Sequence, residues 1–391
     1  MKSPQVIRSF TGFLAAALLM LPLVRLPGAA ADATETITAA VQPFVSGNTL
    51  AGAVMLVASK DKVLSVATAG WADIAAQKPM TRDALFWIAS QSKAMTASAL
   101  MMLVDEGKLQ LDDPVEKYLP EFKGQMLAVE RDDDHVLLRK PAHPITVREI
   151  LSHTSGLPFS TPMEQPTLDG LPLRDAVRSY AMTPLQFPPG TKYQYSNAGI
   201  NTAGRIVEVI SGMPYEKFMD ERLFKPLGMK DTTFWPTASQ VKRLAKSYKP
   251  NQAQTGLEEI SITQLHYPLS DHANRYPMPA GGLFSTASDT AKFCQMILND
   301  GVCEGKRVLS AESIKQMTSR QTAPEIKDSY GLGLSVGPDW CGHGGANATN
   351  MQIDRKRGLV LIWMVQHSGF PGNGGQSQEA FKQAAIAAFA P

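Results

Sequence analysis

The sequence has few of the residues from which disulfide scaffolds, metal sites and nucleic-acid interfaces are built. Among 391 residues there are 3 cysteines, at positions 294, 303 and 341, which is too few for a disulfide-rich fold. The metal-binding spacings His-Glu-x-x-His and Cys-x-x-Cys do not occur. A net charge of +2 leaves no electrostatic footprint for nucleic acid. We therefore expect no metal, no cofactor and no nucleic-acid partner. Export would allow a Cys294–Cys303 bond, but free thiols fit the sequence equally well.

Long apolar runs are absent after the first 31 residues. Lys2 and Arg8 precede an apolar run at 13–24, and small residues follow at 29–31. This order predicts a signal peptide cleaved after Ala31, with an uncleaved N-terminal anchor as the alternative, although the run is short for a membrane span. Cleavage removes three basic residues and changes the net charge from +2 to −1. We expect a periplasmic or secreted protein with no stable membrane span after processing.

Segments typical of strands lie near both ends of the mature chain, and its middle is typical of short helices. Residues 50–70 predict a hairpin, and four further strand-like segments follow one another between 330 and 366. The region between them is richer in proline and in helical patterns. The sequence therefore predicts one α/β lobe, built from 32–107 and 281–391, with a helical lobe inserted at 108–280.

A serine and a lysine lie three residues apart where a helical pattern begins. The segment 86–93 reads FWIASQSK, and small and apolar residues continue to position 104 without Gly or Pro. On a helix that starts near Ser90, the Lys93 amine lies about one turn on and on the same face. A hydroxyl nucleophile needs such a base, and N–H groups at a helix start can bind an oxyanion. Alone the pattern is weak, because any exposed helix start can carry it.

Two further segments carry residues that suit the same chemistry. Tyr195 is a phenol that can act as a base if an ammonium group lowers its pKa, and Asn197 has an amide that can bind a carbonyl. His343 precedes Gly344 and Gly345, whose missing side chains allow a substrate to come close. Each also has an ordinary structural interpretation. Tyr195 could be a half-buried aromatic, Asn197 a helix N-cap, and the pair Gly344 and Gly345 a bend. Their joint occurrence in this order favours an active site.

These motifs together resemble those of the penicillin-recognising serine hydrolases. The closest branch contains class C β-lactamases, D-alanyl-D-alanine carboxypeptidases and β-lactamase-like esterases. Its Ser-x-x-Lys and Tyr-x-Asn motifs match at 90–93 and 195–197, and the stretches 150–157, 189–191 and 280–283 are also similar. The resemblance covers nearly all of the mature chain. It implies an antiparallel sheet flanked by helices beside an all-helical lobe, with the active site in the cleft between them.

The resemblance also implies a role for each motif residue. Ser90 would be the acylated nucleophile, and Lys93 and Tyr195 would share the proton transfers. Which of the two is the base stays open, because either would need a depressed pKa. Asn197 would orient the acyl side of the substrate. The backbone N–H groups of Ser90 and Ala346 would form the oxyanion hole.

The third motif departs from the family pattern. β-Lactamases of the branch carry Lys-Thr-Gly and the peptidases a histidine before Thr-Gly, whereas this chain has His343, Gly344 and Gly345. The His343 imidazole carries at most a partial positive charge near neutral pH, and the threonine hydroxyl is missing. Because both groups recognise a substrate carboxylate, the change predicts hydrolysis of a small carboxylic ester.

Two other functions stay open from the sequence. A β-lactamase, D-Ala-D-Ala carboxypeptidase or D-aminopeptidase is the alternative enzyme. A penicillin-binding-like protein without catalysis is the alternative of another class. In each case the expected partner is a small ester or amide, and the oligomeric state stays open.

Overall fold

The computed structural model describes Met1 and residues 27–390, with side chains from residue 32 onward. The apolar run of the predicted leader, at 13–24, lies outside the described residues. The helices are α1 (Pro27–Ser46), α2 (Ser92–Asp105), α3 (Val147–Leu151), α4 (Leu173–Met182), α5 (Asn197–Ser211), α6 (Tyr215–Met219), α7 (Ala238–Val241), α8 (Ala287–Leu298), α9 (Ala311–Met317) and α10 (Ser377–Phe389). The strands are β1 (Gly52–Ser59), β2 (Val63–Asp73), β3 (Lys78–Pro79), β4 (Phe86–Trp87), β5 (Leu127–Arg131), β6 (Val136–Arg139), β7 (Ser247–Pro250), β8 (Leu257–Ile260), β9 (Phe284–Ser285), β10 (Val302–Cys303), β11 (Lys306–Arg307), β12 (Ser335–Val336), β13 (Trp340–Gly344), β14 (Asn350–Asp354) and β15 (Leu359–Met364).

Strands from both ends of the chain share one antiparallel sheet, in the order β12-β13-β14-β15-β1-β2-β3. β1 lies near the centre, and its residues are buried almost throughout. Side chains of α1 and α10 pack on one face of the sheet, for example Ile37 and Phe381 against Trp363. α2 and α8 pack on the other face. This arrangement confirms the predicted fold class, whereas the lobe boundaries at 107 and 281 stay a prediction.

The helical segment lies between the two halves of the sheet in sequence. Its helix α5 makes the contact with α2. Thr146 begins α3 with the predicted capping box, since its side chain accepts from the Glu149 N–H and the Glu149 carboxylate accepts from the Thr146 N–H at 2.8 Å. Ser196 caps α5, and Gly212 ends it in the left-handed conformation at φ 67°. Both caps of α5 are local sequence signals. The start of α5 lies against α2, where Asn197 contacts Lys93.

Two segments differ from a simple reading of their sequence pattern. The strand expected from Tyr330 is limited to β12, and Tyr330 only bridges to Ser335. The helical pattern at 213–229 forms α6 followed by a π-helical turn at Asp220–Phe224. The acidic run within 130–135 lies at the exposed tip of the hairpin β5–β6.

All three cysteines are free thiols in the described part of the chain. Cys294 on α8 and Cys341 on β13 are buried in the main core, and burial raises the pKa of both thiols, that of Cys341 to about 12. None of the helices in the described ranges combines the length and apolarity that crossing a bilayer requires.

Candidate active site

Ser90 lies in a tight turn between a buried strand and a buried helix. β4 pairs with β9, a 3-10 turn follows at Ala89–Gln91, and α2 begins at Ser92. Ala89 has a positive φ of 45°, which is uncommon for a residue with a side chain and often marks a functional turn. The Ser92 hydroxyl donates to the Ala89 carbonyl at 2.6 Å and closes the turn. As a result Ser90 is partly exposed while its neighbours are buried.

The Lys93 amine is buried and makes three short contacts. Its Nζ lies 3.1 Å from Ser90 Oγ, 2.8 Å from Asn197 Oδ1 and 2.7 Å from the Ala280 carbonyl oxygen. Asn197 Oδ1 and the carbonyl can only accept, so each takes an N–H from Lys93, whereas the Ser90 hydroxyl can accept from an ammonium or donate to the lone pair of a neutral amine. Burial lowers the pKa of Lys93 well below its usual value. Burial favours the neutral amine, and the contacts hold that amine beside the serine.

Tyr195 lies beside Ser90 and Lys93, and burial affects its pKa in the opposite direction to that of Lys93. Its ring centroid is 4.7 Å from Lys93 Nζ. Burial raises the pKa of Tyr195 above its usual value, and the hydrogen bond with the Ser90 side chain only partly offsets this. Tyr195 is therefore a protonated phenol at neutral pH, in contact with the serine.

The Asn197 side chain is available to the active site because the neighbouring residue, Ser196, caps α5. The Ser196 hydroxyl accepts from the Gly199 N–H at 3.0 Å, so the N-cap interpretation of Asn197 was wrong by one position. Asn197 Oδ1 is occupied by Lys93. The amide nitrogen of Asn197 is the remaining polar group of that side chain.

His343 is buried on β13 and is not a cation. Its Nδ1 lies 2.7 Å from the Gly344 carbonyl, which requires an N–H there, and its Nε2 therefore accepts from the Tyr330 hydroxyl at 2.9 Å. Burial is the main cause that lowers the pKa of His343 to about 3. The position that carries a lysine in β-lactamases of this branch thus holds a neutral imidazole whose two nitrogens are both engaged.

The loop after β13 lies directly against the serine turn. The Gly345 N–H donates to the Thr349 carbonyl at 2.7 Å, and a Cβ built on Gly345 would be 2.6 Å from the Ile88 carbonyl oxygen. Ile88 is two residues before Ser90. Within the described chain, no backbone carbonyl accepts a hydrogen bond from the Ala346 N–H. The Ser90 N–H lies in the first turn of a helix, where N–H groups have no partner inside the helix. The two predicted oxyanion donors therefore lie on segments that contact each other, the serine turn and the loop after β13.

Three aromatic residues of the site were missed from the sequence. The ring of His153 lies 4.6 Å from that of Tyr195 and 4.7 Å from that of Tyr330, and its Nδ1 accepts from the Ser196 N–H at 3.2 Å. Phe159 is exposed and stacks near Tyr195 at 6.4 Å. His153 lies in the family-like stretch 150–157, which was the available signal, whereas nothing in the sequence pointed to the other two. In the described ranges no three His, Cys, Asp or Glu side chains could hold a metal ion.

We expect Gly345→Ala to destabilise the protein and impair the site. The new methyl group would overlap the Thr349 hydroxyl and the Ile88 carbonyl, and overpacking of this kind costs about 1–3 kcal/mol. Thermal unfolding and esterase assays of the purified variant measure both effects. Gly344→Ala is the matched control, because its nearest atoms would be 3.7 and 3.8 Å away. Equal losses in the two variants would contradict the close approach of the loop to Ile88.

Known proteins share both the sequence pattern and the fold. A family model described as Beta-lactamase matches residues 37–385. A Mycobacterium tuberculosis protein is 34% identical over 366 residues, which is 84% of this chain and 89% of the relative. Esterase EstB of Burkholderia gladioli is 28% identical over 380 residues, covering 86% of this chain and 91% of EstB. The structure of simvastatin synthase (LovD) from Aspergillus terreus has a TM-score of 0.76 at 21% identity, covering 91% of this chain and 98% of LovD.

Proposed function

The chain belongs to the Beta-lactamase family of serine hydrolases, and on that premise we propose that it hydrolyses small, neutral carboxylic esters through an acyl-enzyme on Ser90. The observation that carries the ester preference is the neutral, fully engaged imidazole of His343. Next to it, Gly344 offers no side-chain hydroxyl. A substrate carboxylate would meet neither a cation nor a hydroxyl donor in this motif, whereas an uncharged ester needs neither.

Acylation follows from the contacts around Ser90. Neutral Lys93 takes the Ser90 proton as Oγ attacks the ester carbonyl, and the N–H groups of Ser90 and Ala346 hold the resulting oxyanion. The Tyr195 hydroxyl gives a proton to the departing alkoxide as the C–O bond breaks. The Lys93 ammonium then returns the proton to Tyr195, and an alcohol leaves.

Deacylation repeats these steps with water in place of the serine. Water loses a proton to the neutral Lys93 amine and attacks the acyl carbonyl. The bond to Ser90 Oγ breaks, the Lys93 ammonium returns its proton to Oγ, and a carboxylic acid leaves. The Asn197 amide orients the acyl side through its nitrogen, since its oxygen is bound to Lys93.

A substrate panel tests this function. We expect p-nitrophenyl butyrate to be turned over with a kcat/KM at least about tenfold above that for a chromogenic cephalosporin or a D-Ala-D-Ala peptide, because a missing charge-assisted contact costs about 1.5–3 kcal/mol. The Ser90→Ala variant gives the background rate of hydrolysis for each substrate. Cephalosporin or peptide turnover above ester turnover would assign the chain to the alternative enzymes. Covalent binding of penicillin without turnover of any substrate would support the non-catalytic alternative.

We also propose that the protein is exported to the periplasm or medium. Support comes from the sequence of residues 1–31, in which a basic start, an apolar run and small residues follow one another. N-terminal sequencing of the exported protein should begin at Asp32. A first residue upstream of the apolar run would instead support the uncleaved anchor.

A further inference from the structure

The hairpin β5–β6 exposes apolar side chains on both of its faces. All four residues of β6 are exposed, and Val136, Leu137 and Leu138 leave 42%, 56% and 40% of their surface open to solvent. Val129 on β5 is exposed as well. Successive residues of a strand point to opposite faces, so neither face of β6 is covered. A two-stranded hairpin without a covered apolar face is only marginally stable, which favours the addition of further strands.

The outer edge of β6 is free in the described part of the chain. This strand forms a sheet with β5 alone. The Asp132 N–H donates to the His135 carbonyl at 3.1 Å, so His135 directs its backbone groups toward β5. Because this direction alternates along an antiparallel strand, Val136 and Leu138 direct their N–H and C=O groups away from β5. A free row of donors and acceptors of this kind can pair with another strand.

The hairpin β7–β8 shows how such an edge is normally protected. Glu258 and Glu259 lie within β8 and form ion pairs with Lys249 and Lys246 at 2.8 and 2.7 Å. Charged side chains within an edge strand oppose pairing with other chains. The three consecutive residues 136–138 of β6 are all apolar, so this part of the strand carries no such protection.

Charges of opposite sign lie at the two ends of this apolar segment. Asp133 and Asp134 are exposed at the tip of the hairpin, and Arg139 and Lys140 are exposed at its other end. None of these four side chains forms an ion pair within the described residues, where the tip holds only the pair between His135 and Asp132. Each end of β6 therefore offers an unpaired charge, and the two ends are complementary to each other.

A second copy of the chain would match this pattern. With a two-fold axis at Leu137, an antiparallel β6 from the second copy places its Leu138 opposite Val136 and its Lys140 opposite Asp134. Each of these pairs occurs twice, because the interface is the same surface on both copies. Apolar and oppositely charged pairs directly across two strands stabilise a sheet. An anionic membrane surface fits less well, since it would repel the acidic tip.

We propose that the protein forms a two-fold symmetric dimer through β6, in which β5 and β6 of both copies make one four-stranded antiparallel sheet. The pairing covers a single short strand in each copy. We therefore expect a weak dimer, with a dissociation constant of about 1–100 µM. The dimer is independent of the proposed ester hydrolysis, and its test uses no activity.

Sedimentation velocity of the purified protein, at concentrations on both sides of the expected dissociation constant, measures the dimer. Leu137→Lys should raise the dissociation constant at least about tenfold, because an apolar pair at the axis is replaced by two like charges. Val209→Lys is the matched control, since Val209 is an exposed apolar residue on α5. It should leave the dissociation constant unchanged. Thermal unfolding verifies that both variants are folded.

A charge exchange tests the register. Lys140→Glu and Asp134→Lys should each raise the dissociation constant about tenfold, because two attractive pairs become repulsive. The double variant Asp134→Lys with Lys140→Glu restores opposite charges across the axis, and its dissociation constant should return to within about threefold of the wild type. A general effect of net charge cannot produce this recovery, because the double variant has the wild-type net charge.

Four results would overturn the proposal. The first is a wild-type protein that stays monomeric at every concentration, and the second is a dimer that persists in Leu137→Lys. The third is an equal loss in Val209→Lys, and the fourth is a double variant as weak as the single ones. A monomer that sediments with anionic phospholipid vesicles, and no longer does so as Leu137→Lys, would assign the exposed hairpin to a membrane surface instead.

Discussion

Ser90→Ala should lose ester hydrolysis by about 10⁵-fold or more and all labelling by a fluorophosphonate, while the folded protein remains intact. Removing the nucleophile of a serine hydrolase has an effect of this order, because no other group can form the acyl intermediate. Ser90 Oγ is partly exposed, and its contacts are with the proposed proton carriers, so the fold depends little on it. Initial rates, intact-protein mass spectrometry and thermal unfolding measure the three parts of this expectation.

Ser92→Ala is the control for that experiment. Ser92 is buried two residues later, donates to the Ala89 carbonyl at 2.6 Å and accepts from the Leu283 N–H at 3.3 Å. Its loss should cost about 1–3 kcal/mol of folding free energy, because a buried N–H loses its acceptor, and should leave covalent labelling in place. A large loss of thermal stability in Ser90→Ala, or labelling that persists in it, would show that Ser90 is structural and that the nucleophile lies elsewhere.

Lys93→Met should reduce the rate of Ser90 acylation by about 10⁴-fold, whereas Tyr195→Phe should reduce it by about 10²-fold, both within the range of general acid–base catalysis. The difference follows from the protonation states that burial imposes. Burial lowers the pKa of Lys93 and so favours the neutral amine that accepts the serine proton, whereas burial raises the pKa of Tyr195 and so favours the phenol that passes a proton on. Stopped-flow labelling by a fluorophosphonate isolates this step from deacylation.

Lys292→Met, on α8 and with its amine bound to the Gly228 carbonyl and the Asp289 carboxylate, controls for the loss of a partly buried lysine. It should retain the wild-type labelling rate. Because Lys93→Met leaves two buried acceptors without donors, circular dichroism must show that the variant is folded before its rate is interpreted. Slower labelling in Tyr195→Phe than in Lys93→Met would exchange the two roles and make the tyrosine the base.

Much of the candidate site could be predicted from the sequence because its signals are local. Ser90 and Lys93 are one helical turn apart, so their contact needs only the start of α2. The Tyr-x-Asn motif lies at the start of α5, and Asn197 contacts Lys93 across 104 residues of sequence. The family resemblance grouped the motifs in one site but did not predict this contact. No local pattern contains it.

Other parts depend on contacts between segments that are distant in sequence. Tyr330 carries no motif, and it becomes part of the site only because β13 brings His343 beside it. Likewise Glu164 and Tyr180 belong to a loop and a helix of ordinary composition. Only the packing of α4 against α5 brings Tyr180 into contact with both Glu164 and Asn201.

The sequence by itself determined the family, the fold class and the candidate nucleophile with its neighbours, because short motifs and strand or helix periodicity are written along the chain. The tertiary structure decided the charge of these groups. A pKa is set by burial and by the partners that surround a side chain, and neither is visible in a linear motif. The sequence therefore left the base open between Lys93 and Tyr195 and left His343 partly charged. In the folded protein burial lowers the pKa of the Lys93 amine and of the His343 imidazole and raises that of the Tyr195 phenol.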